Sequence, residues 1–268
     1  MKFEEQLRLK LVDFYNTPVS FWEEVLGNGL HFHLGHFPRT NISLENAMQN
    51  AIKNLINLLP LRAYKKILDV GCGWGGPAFE IVEIWDAEVL GLTISEAQTH
   101  FINEKSRTLN FPVKALTIDV ELFDFQNIGT FDVLWLYESL EHISDRRSLL
   151  INLHNAAHTH TKLAIAMNCR SPHINRELLY NEFMGIQKLD SASELVSLLE
   201  ETGWRVLDVK DRTDLTLPVW QFWINNLKRL KESEYREIAE KLIVALQNTE
   251  ELCKKKLLQS IQIVSTTV

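Results

Sequence analysis

A carboxylate stands at the start of a glycine-rich stretch. Asp69 comes two residues before Gly71, and Gly73, Gly75 and Gly76 follow closely. Glycines in such a run let the backbone turn tightly and approach a ligand with no side chain in between. A carboxylate at the tip of the strand before the turn would repel a pyrophosphate and attract a cation. The stretch therefore predicts a site for a ligand that carries positive charge.

This stretch has three possible interpretations: a site for NAD, a site for S-adenosyl-L-methionine, or a glycine turn that binds no ligand. Gly71, Gly73 and Gly76 also satisfy G-x-G-x-x-G, a weak signal for NAD, but a dinucleotide site places an acid about 20 residues further on, after the next strand. That strand, predicted over 88–93, ends in Thr-Ile-Ser instead. S-adenosyl-L-methionine carries an ammonium and a sulfonium but no phosphate, so it fits these residues better than NAD. A turn that holds no ligand is the remaining alternative.

A strand and a helix must hold this stretch in place. Ile67, Leu68 and Val70 form a short apolar run that is typical of a buried strand. Pro77 suits the first turn of a helix, where a missing N–H costs nothing. A strand that runs through a glycine turn into a helix forms the nucleotide-binding corner of a doubly wound sheet.

Two segments resemble a known family. Residues 67–76 resemble the first motif of the class I S-adenosylmethionine-dependent methyltransferases, and residues 91–98 resemble the G-[LIV]-T-[LI]-S-x-x-Q segment of a subgroup. That subgroup contains tocopherol, glycine-sarcosine and natural-product methyltransferases and the cyclopropane-fatty-acid synthases, and the likeness covers residues 12–215. It implies an α/β fold: a Rossmann-like, doubly wound, seven-stranded sheet with the last strand antiparallel, and N-terminal and inserted helices that form a lid.

The resemblance also implies which residues contact the cofactor. The backbone of residues 93–95 and the Gln98 side chain would contact its ribose and methionine portions, because hydroxyls and an amide can replace the absent acid. Asp119 would bond the adenine amino group, and Val120 would offer a backbone N–H. The predicted cofactor-binding residues are Asp69, Gly71, Gly73, Trp74, Thr93, Ile94, Ser95, Gln98, Asp119, Val120 and Glu138.

Three histidines alternate with apolar residues in segment 30–38. The H-x-H spacing of His31 and His33 could suit zinc, but no cysteine or carboxylate triplet is nearby, so no metal is predicted. The segment resembles the Leu-His-x-Gly-Tyr/Trp segment of related small-molecule methyltransferases, with the aromatic residue displaced to Phe37. In those enzymes the segment lies over the cofactor and helps to form the acceptor pocket.

A further motif follows the fourth strand, which is predicted over 131–137. Residues 138–142 resemble the E-S-[LI]-x-H motif of the same subgroup. Methyl transfer needs a base only when the attacking atom must lose a proton, and histidine suits that task because its pKa lies near neutrality. The predicted catalytic residues are His142 and His33, with Glu138 behind them. The alternative is that His142 only orients the loop.

Aromatic residues supply the predicted acceptor pocket. Trp220 and Trp223 belong to an apolar stripe at helical spacing, which suits either an acceptor wall or the protein core. The predicted substrate-binding residues are Tyr15, Trp22, His31, His33, Phe37, Trp220 and Trp223.

A single methyltransferase domain over 1–268 is predicted, in three parts. An N-terminal helical cap covers 1–60, a cofactor-binding core covers 61–170, and helical insertions over 171–190 and 212–258 line the acceptor pocket. The first insertion would bring Tyr180, Phe183 and Met184 into the lid.

Composition narrows the choice of partner and compartment. A net charge of −7, from 28 basic and 35 acidic side chains, argues against nucleic acid, and no basic lipid-facing surface is visible. Three irregularly spaced cysteines indicate a reducing compartment. No apolar run reaches the roughly 18 residues of a membrane span, and the first residues do not resemble a signal peptide. We therefore expect a cytoplasmic protein with no membrane partner; the oligomeric state is not predicted.

The sequence thus predicts an S-adenosylmethionine-dependent methyltransferase. The expected acceptor is a small, fairly apolar, specialised (natural-product) metabolite, methylated at nitrogen or carbon. The alternatives are an O-methyltransferase of a phenolic or sugar acceptor and a non-catalytic scaffold that binds S-adenosylmethionine. An NAD-linked oxidoreductase is a third, of a different class.

Overall fold

The computed structural model describes residues 3–39, 41–174 and 189–267. Its sheet has seven strands in the order β3-β2-β1-β4-β5-β7-β6. Strand β7 is antiparallel to both of its neighbours, whereas the pairs among β1 to β5 are parallel. The strands are β1 (Lys66–Val70), β2 (Glu88–Thr93), β3 (Val113–Thr117), β4 (Val133–Tyr137), β5 (Lys162–Arg170), β6 (Trp204–Asp211) and β7 (Leu258–Thr267). The predicted fold class is confirmed.

Helices precede, connect and cover the strands. Three of them come before β1, and two long helices separate β6 from β7. In the described ranges the helices are α1 (Phe3–Tyr15), α2 (Val19–Leu26), α3 (Leu44–Ile56), α4 (Gly76–Trp85), α5 (Glu96–Leu109), α6 (Arg146–Ala156), α7 (Ala192–Glu201), α8 (Thr213–Arg229) and α9 (Arg236–Lys254). Short 3₁₀ turns occur at Phe125–Asn127, Leu140–His142 and Leu230–Glu232.

Both faces of the central strands are buried. Leu68 of β1 packs into one apolar cluster and Ile67 into a second, because successive side chains of a strand point to opposite faces. In β4, Leu134 and Leu136 likewise belong to one cluster and Trp135 to the other. A parallel sheet covered on both faces needs such continuous apolar runs, which is why β1 and β4 are recognisable in the sequence.

The order of the strands opens a crevice beside β1. Its neighbours are β2 on one side and β4 on the other, so the connection after β1, to β2, and the connection after β4, to β5, run in opposite directions. In open α/β sheets, ligands bind outside the carboxyl ends of the strands at such a point. The glycine turn after β1 and residues 138–142 after β4 therefore meet at one edge.

Helix α5 is tied to the N-terminal helices by its cap. Ser95 accepts a hydrogen bond from the Gln98 backbone N–H at 3.2 Å, as a residue at the N-cap position does. Its hydroxyl also donates to the Asn16 side-chain oxygen at 2.6 Å. The end of α1 is thereby fixed next to the end of β2.

Strand β5 spans nine residues, Lys162–Arg170. It pairs with β7 from Lys162 against Thr266 to Arg170 against Leu258, and this long antiparallel partner extends it. Predicted lid residues Tyr180, Phe183 and Met184 lie outside the described residues. The division into cap, core and insertions stays a prediction. Within the described ranges, none of the helices has the length and apolar character needed to cross a membrane.

Candidate active site

A cavity of about 400 Å³ opens at the carboxyl ends of the strands. Most of the predicted cofactor-binding residues line it: Asp69, Gly71, Gly73, Trp74, Thr93, Ile94, Gln98, Asp119, Val120 and Glu138. Tyr15, His33 and His142 also lie in its wall. Ser95 does not line the cavity; it is fully buried and caps α5.

The glycine turn shapes one wall of this cavity. Gly71 has a φ of +83°, and a Cβ there would lie 2.4 Å from Cβ of Ser139, so neither the backbone nor the packing admits a side chain. Gly73 has a φ of +53°, and a Cβ there would meet no atom within 4 Å among the described residues. The space over Gly73 therefore belongs to the cavity and is open to a ligand.

Three buried polar groups in the wall lack hydrogen-bond partners among the described residues. They are Oδ2 of Asp69, Nε1 of Trp74 and Nε2 of Gln98. An unpaired buried polar group is costly, so such groups indicate a missing partner. One acceptor and two donors suit a ligand that bears a cationic amine and polar oxygens, and S-adenosylmethionine fits this description.

Asp69 has the environment expected of a cation-binding carboxyl group. It is only 1% exposed, and burial raises its pKa to about 7. The buried carboxyl is therefore partly protonated near neutral pH. A positive charge beside it would restore the ionised form, because opposite charges favour each other at low dielectric.

The remaining predicted cofactor contacts are held by local hydrogen bonds. The Thr93 hydroxyl donates to Oε1 of Gln98 at 2.5 Å, which turns the amide N–H₂ of Gln98 toward the unpaired side. Oδ1 of Asp119 accepts from the Glu121 backbone N–H at 3.1 Å. Thr93 is the last residue of β2, Gln98 lies on the helix after it and Asp119 follows β3, so all three lie at the same edge of the sheet.

A tyrosine–histidine pair also lines the cavity. The Tyr15 hydroxyl and Nε2 of His142 are 3.1 Å apart, and the two rings meet edge to face. Burial, with Glu141 and Glu138 adding to it, raises the pKa of Tyr15. Tyr15 therefore keeps its hydroxyl proton at neutral pH.

His33 and His31 form a second pair. Nδ1 of His33 faces the Leu34 carbonyl oxygen at 3.2 Å, and Nε2 of His33 faces Nδ1 of His31 at 3.0 Å. Burial lowers the pKa of both rings, that of His31 to about 4. Both histidines are neutral at pH 7, and both nitrogens of His33 are engaged.

Two carboxyl groups lie together after β4. Oε1 of Glu138 accepts from the Leu34 N–H at 2.9 Å, and Glu141 accepts from the backbone and side-chain N–H groups of Asn168. Burial raises the pKa of Glu138, and the neighbouring Glu141 raises it further. Glu138 has a φ of +51°, an unusual conformation for a residue with a side chain.

Five predicted substrate-binding residues do not line the cavity. Trp22 packs against Phe32 with ring centroids 4.7 Å apart, and Phe37 stacks on Phe222 at 5.5 Å. The five residues, all buried, are Trp22, His31, Phe37, Trp220 and Trp223. Several wall residues were not predicted: Leu11, Leu30, Phe32, Tyr137, Ser139 and Ile143. Of these, Phe32 could have been predicted from the sequence, because it lies between His31 and His33 in the predicted acceptor segment.

Metal binding finds no support in the part of the chain that the structure describes. No group of three or more His, Cys, Asp or Glu side chains there is arranged to hold an ion.

Comparisons with known proteins agree with this geometry. The family model described as mycolic acid cyclopropane synthetase matches residues 8–263. The O-methyltransferase resE of Aspergillus sclerotiorum is 30% identical over 85% of this chain and 87% of that protein. The 27-O-demethylrifamycin SV methyltransferase of Amycolatopsis mediterranei is 26% identical over 84% of each chain.

Solved structures show the same fold at low sequence identity. The cyclopropane synthase MmaA2 from Mycobacterium tuberculosis has a TM-score of 0.87 and 17% identity, and the alignment covers 99% of both chains. The mycolic acid cyclopropane synthase CmaA1, complexed with SAH and CTAB, has a TM-score of 0.86 and 18% identity over 97% of this chain and 98% of that one. The predicted enzyme class and S-adenosylmethionine cofactor are confirmed. The chain belongs to the mycolic acid cyclopropane synthetase family of S-adenosylmethionine-dependent methyltransferases.

Proposed function

We propose that the protein transfers a methyl group to a small, fairly apolar acceptor, a specialised metabolite. The observation that carries this proposal is one cavity with two kinds of wall. The first kind consists of the unpaired polar groups of Asp69, Trp74 and Gln98, and the second consists of the Tyr15–His142 pair. The relative from Amycolatopsis mediterranei is named for methyl transfer to 27-O-demethylrifamycin SV, which supports a small-molecule acceptor.

The residues of the first kind would hold the cofactor. When bound, S-adenosylmethionine supplies an electrophilic methyl group on a sulfonium. Asp69 would accept hydrogen bonds from its amine, and Trp74 and Gln98 would donate to its oxygen atoms. Asp119 and Val120 would contact the adenine.

Apolar side chains around the pair favour an acceptor with little polar surface. Leu11 and Phe32 come from the N-terminal segments, and Ile143 and Leu149 come from the chain after β4. Such a wall excludes water from the reacting atoms and fixes the orientation of the acceptor, and positioning supplies much of the rate in a displacement reaction.

The Tyr15–His142 pair can remove a proton from the acceptor. Tyr15 is a neutral phenol at pH 7, as an ordinary tyrosine is, and burial raises its pKa further. It can therefore pass its proton to Nε2 of His142 only while it takes one from another group. An acceptor hydroxyl next to Tyr15 would lose its proton by this relay, and His142 would hold the charge.

This relay disfavours nitrogen as the methylated atom, and between the two atoms that must lose a proton, oxygen and carbon, we favour oxygen. A hydroxyl must lose its proton in the reaction, whereas a neutral amine attacks without a base. The name of the 30% identical relative, O-methyltransferase resE, supports the same choice. We favour a phenolic hydroxyl over a sugar hydroxyl as the acceptor group, because the pKa of a phenol lies closer to that of histidine.

The test is methyl transfer from tritiated S-adenosylmethionine to a panel of phenols, aromatic amines and sugars, with products identified by mass spectrometry. We expect labelled methyl ethers from phenols. Labelled amines alone would overturn the choice of oxygen. Binding of S-adenosylhomocysteine without any labelled product would favour the non-catalytic scaffold, and binding of NADH in its place would overturn the whole proposal.

A further inference from the structure

His31 is buried against the glycine turn but does not line the cavity. A Cβ on Gly76, the first residue of α4, would lie 2.8 Å from Nδ1 of His31, and a Cβ on Gly29 would lie 2.8 Å from its Cδ2. Two glycines thus make room for this ring. Such a tight fit fixes the ring plane and therefore the direction of its nitrogens.

When His31 and His33 are both neutral, their hydrogen bonds allow only one arrangement of the ring protons. A carbonyl oxygen can only accept, so Nδ1 of His33 carries the proton that bonds Leu34 O at 3.2 Å. Nε2 of His33 is then an acceptor. Nδ1 of His31, 3.0 Å away, must be the donor.

The same chain of contacts ends at the cavity. The peptide that follows His33 offers its N–H, on Leu34, to Oε1 of Glu138 at 2.9 Å. Glu138 lines the cavity in a strained backbone conformation, so its position depends on the groups that bond it. Its own N–H bonds Ala166 O at 2.7 Å, which fixes the backbone but not the carboxyl group.

We propose that His31 is a positioning residue. Its Nδ1–H holds His33 in the neutral form protonated at Nδ1, and through His33 and Leu34 it keeps the Glu138 carboxyl at the cavity wall. His31 itself contacts neither cofactor nor acceptor. The effect of His31 on methyl transfer rests on the proposed function, whereas the proton positions on His31 and His33 are independent of that function.

The charges around the pair support neutral rings. Burial is the main cause for both rings; Lys105 on α5 further disfavours a proton on His31, and the adjacent His31 disfavours one on His33. His36 adds no charge, since burial lowers its pKa to about 3. The other titratable neighbours are Tyr137 and Glu138. The Tyr137 ring lies 4.6 Å from the His33 ring, centroid to centroid, and the Glu138 carboxyl group bonds the Leu34 N–H. A fixed neutral pair is therefore expected across pH 5.5–8.5.

The first measurement is a long-range ¹⁵N–¹H spectrum of the histidine-labelled wild-type protein between pH 5.5 and 8.5. We expect His33 to show the neutral Nδ1–H form throughout. A His33 ring protonated at Nε2, or one that titrates near its ordinary pKa, would overturn the proposal. This result does not depend on any cofactor.

The second measurement compares His31→Leu with His31→Asn. The asparagine amide N–H₂ can occupy the place of Nδ1–H, whereas leucine offers no donor. We expect His31→Leu to free Nε2 of His33, so that this ring titrates at higher pH, and to lower methyl transfer about tenfold, the typical effect of losing one buried hydrogen bond.

His31→Asn should restore the neutral His33 signal and keep methyl transfer within about threefold of the wild-type rate. Equal losses in the two variants, with the His33 signal unchanged, would show a packing role only and overturn the proposal. If His31→Leu does not fold, the wild-type spectrum and His31→Asn still decide. Wild-type protein that binds no S-adenosylhomocysteine would instead refute the proposed function and leave the proton positions to the spectrum.

Discussion

The Tyr15 hydroxyl lies 3.1 Å from Nε2 of His142, although 127 positions separate the two residues in the chain. Helix α1 brings the tyrosine, and the 3₁₀ turn after β4 brings the histidine. Both side chains line the cavity, so the pair joins the N-terminal helices to the edge of the sheet where the cavity opens.

Removal of either partner of the Tyr15–His142 pair should slow methyl transfer. We expect Tyr15→Phe to lower kcat about tenfold and His142→Ala to lower it about a hundredfold, in the range typical of lost proton transfer. The control is Tyr235→Phe, which removes a hydroxyl that bonds Ser20 on the exposed surface at 2.8 Å. Steady-state assays with the acceptor found in the panel measure the effect. Normal kcat for both Tyr15→Phe and His142→Ala would rule out the relay.

Asp69 should make cofactor binding depend on pH. Burial raises its pKa to about 7 in the protein without ligand, and the ionised form is the one that attracts a cation. Affinity for S-adenosylhomocysteine should therefore rise about tenfold per unit from pH 5 to 7 and level off above pH 7. Asp69→Asn should bind about ten- to a hundredfold more weakly at pH 8, with no such slope. Asp86→Asn, at a fully exposed side chain, is the control.

The same carboxyl group should destabilise the ligand-free protein at high pH. A folded-state pKa raised from 3.8 to about 7 adds stability below pH 4 that is lost as the pH rises through 7. We expect Asp69→Asn to gain stability relative to the wild type between pH 5 and 8, as measured by urea unfolding without ligand. A difference that does not change with pH would contradict the raised pKa.

Two glycines of the turn should fail in different ways when changed to alanine. Gly76→Ala places a Cβ against the His31 ring and should lower the free energy of unfolding by about 1–3 kcal/mol. Gly73→Ala places a methyl group in the cavity and should weaken S-adenosylhomocysteine binding more than about tenfold. Its stability should fall by about 1–2 kcal/mol, the cost of a left-handed residue.

The matched control for Gly73 is Gly129→Ala. Gly129 also has a positive φ, +101°, with open space around it, but it does not line the cavity. We expect a similar loss of stability and unchanged S-adenosylhomocysteine binding. If Gly73→Ala and Gly129→Ala both bind normally, the space over Gly73 is not used by the ligand.

Ser95 should act through the fold and not through direct ligand contact. Ser95→Ala loses the cap of α5 and the hydrogen bond to Asn16, so unfolding should become easier by about 1–2 kcal/mol and kcat should fall as Tyr15 shifts. Ser43→Ala removes an exposed cap only, on α3, and serves as control. Urea unfolding and kcat measure both effects. Loss of S-adenosylhomocysteine affinity with unchanged stability would instead place Ser95 in the cofactor site.

Local sequence patterns predicted the strands and helices that position the predicted cofactor-binding residues. Strand β2 has the predicted bounds, Glu88–Thr93, and Ser95, a residue type that commonly caps helices, caps α5. These features depend on a few neighbouring residues, namely an apolar run and a capping side chain, so one sequence suffices to find them. The local signals indicated a doubly wound sheet, and the resemblance to the methyltransferases supplied its seven strands and antiparallel last strand.

Contacts between distant segments could not be predicted in this way. An apolar stripe at helical spacing describes a core helix and a pocket wall equally well, and Trp220 and Trp223 lie in the core away from the cavity wall. Nothing in the sequence pairs Tyr15 with His142. Likewise, Gly76 looks like a cofactor glycine, whereas its open face is filled by His31.

Calorimetric titration with S-adenosylhomocysteine tests the central claim most directly. We expect the wild-type protein to bind one equivalent at pH 8, Asp69→Asn to bind it at least about tenfold more weakly, and NADH to give no heat. Equal affinity in the wild type and Asp69→Asn, or a signal with NADH in place of S-adenosylhomocysteine, would contradict a cavity built for a cationic methyl donor.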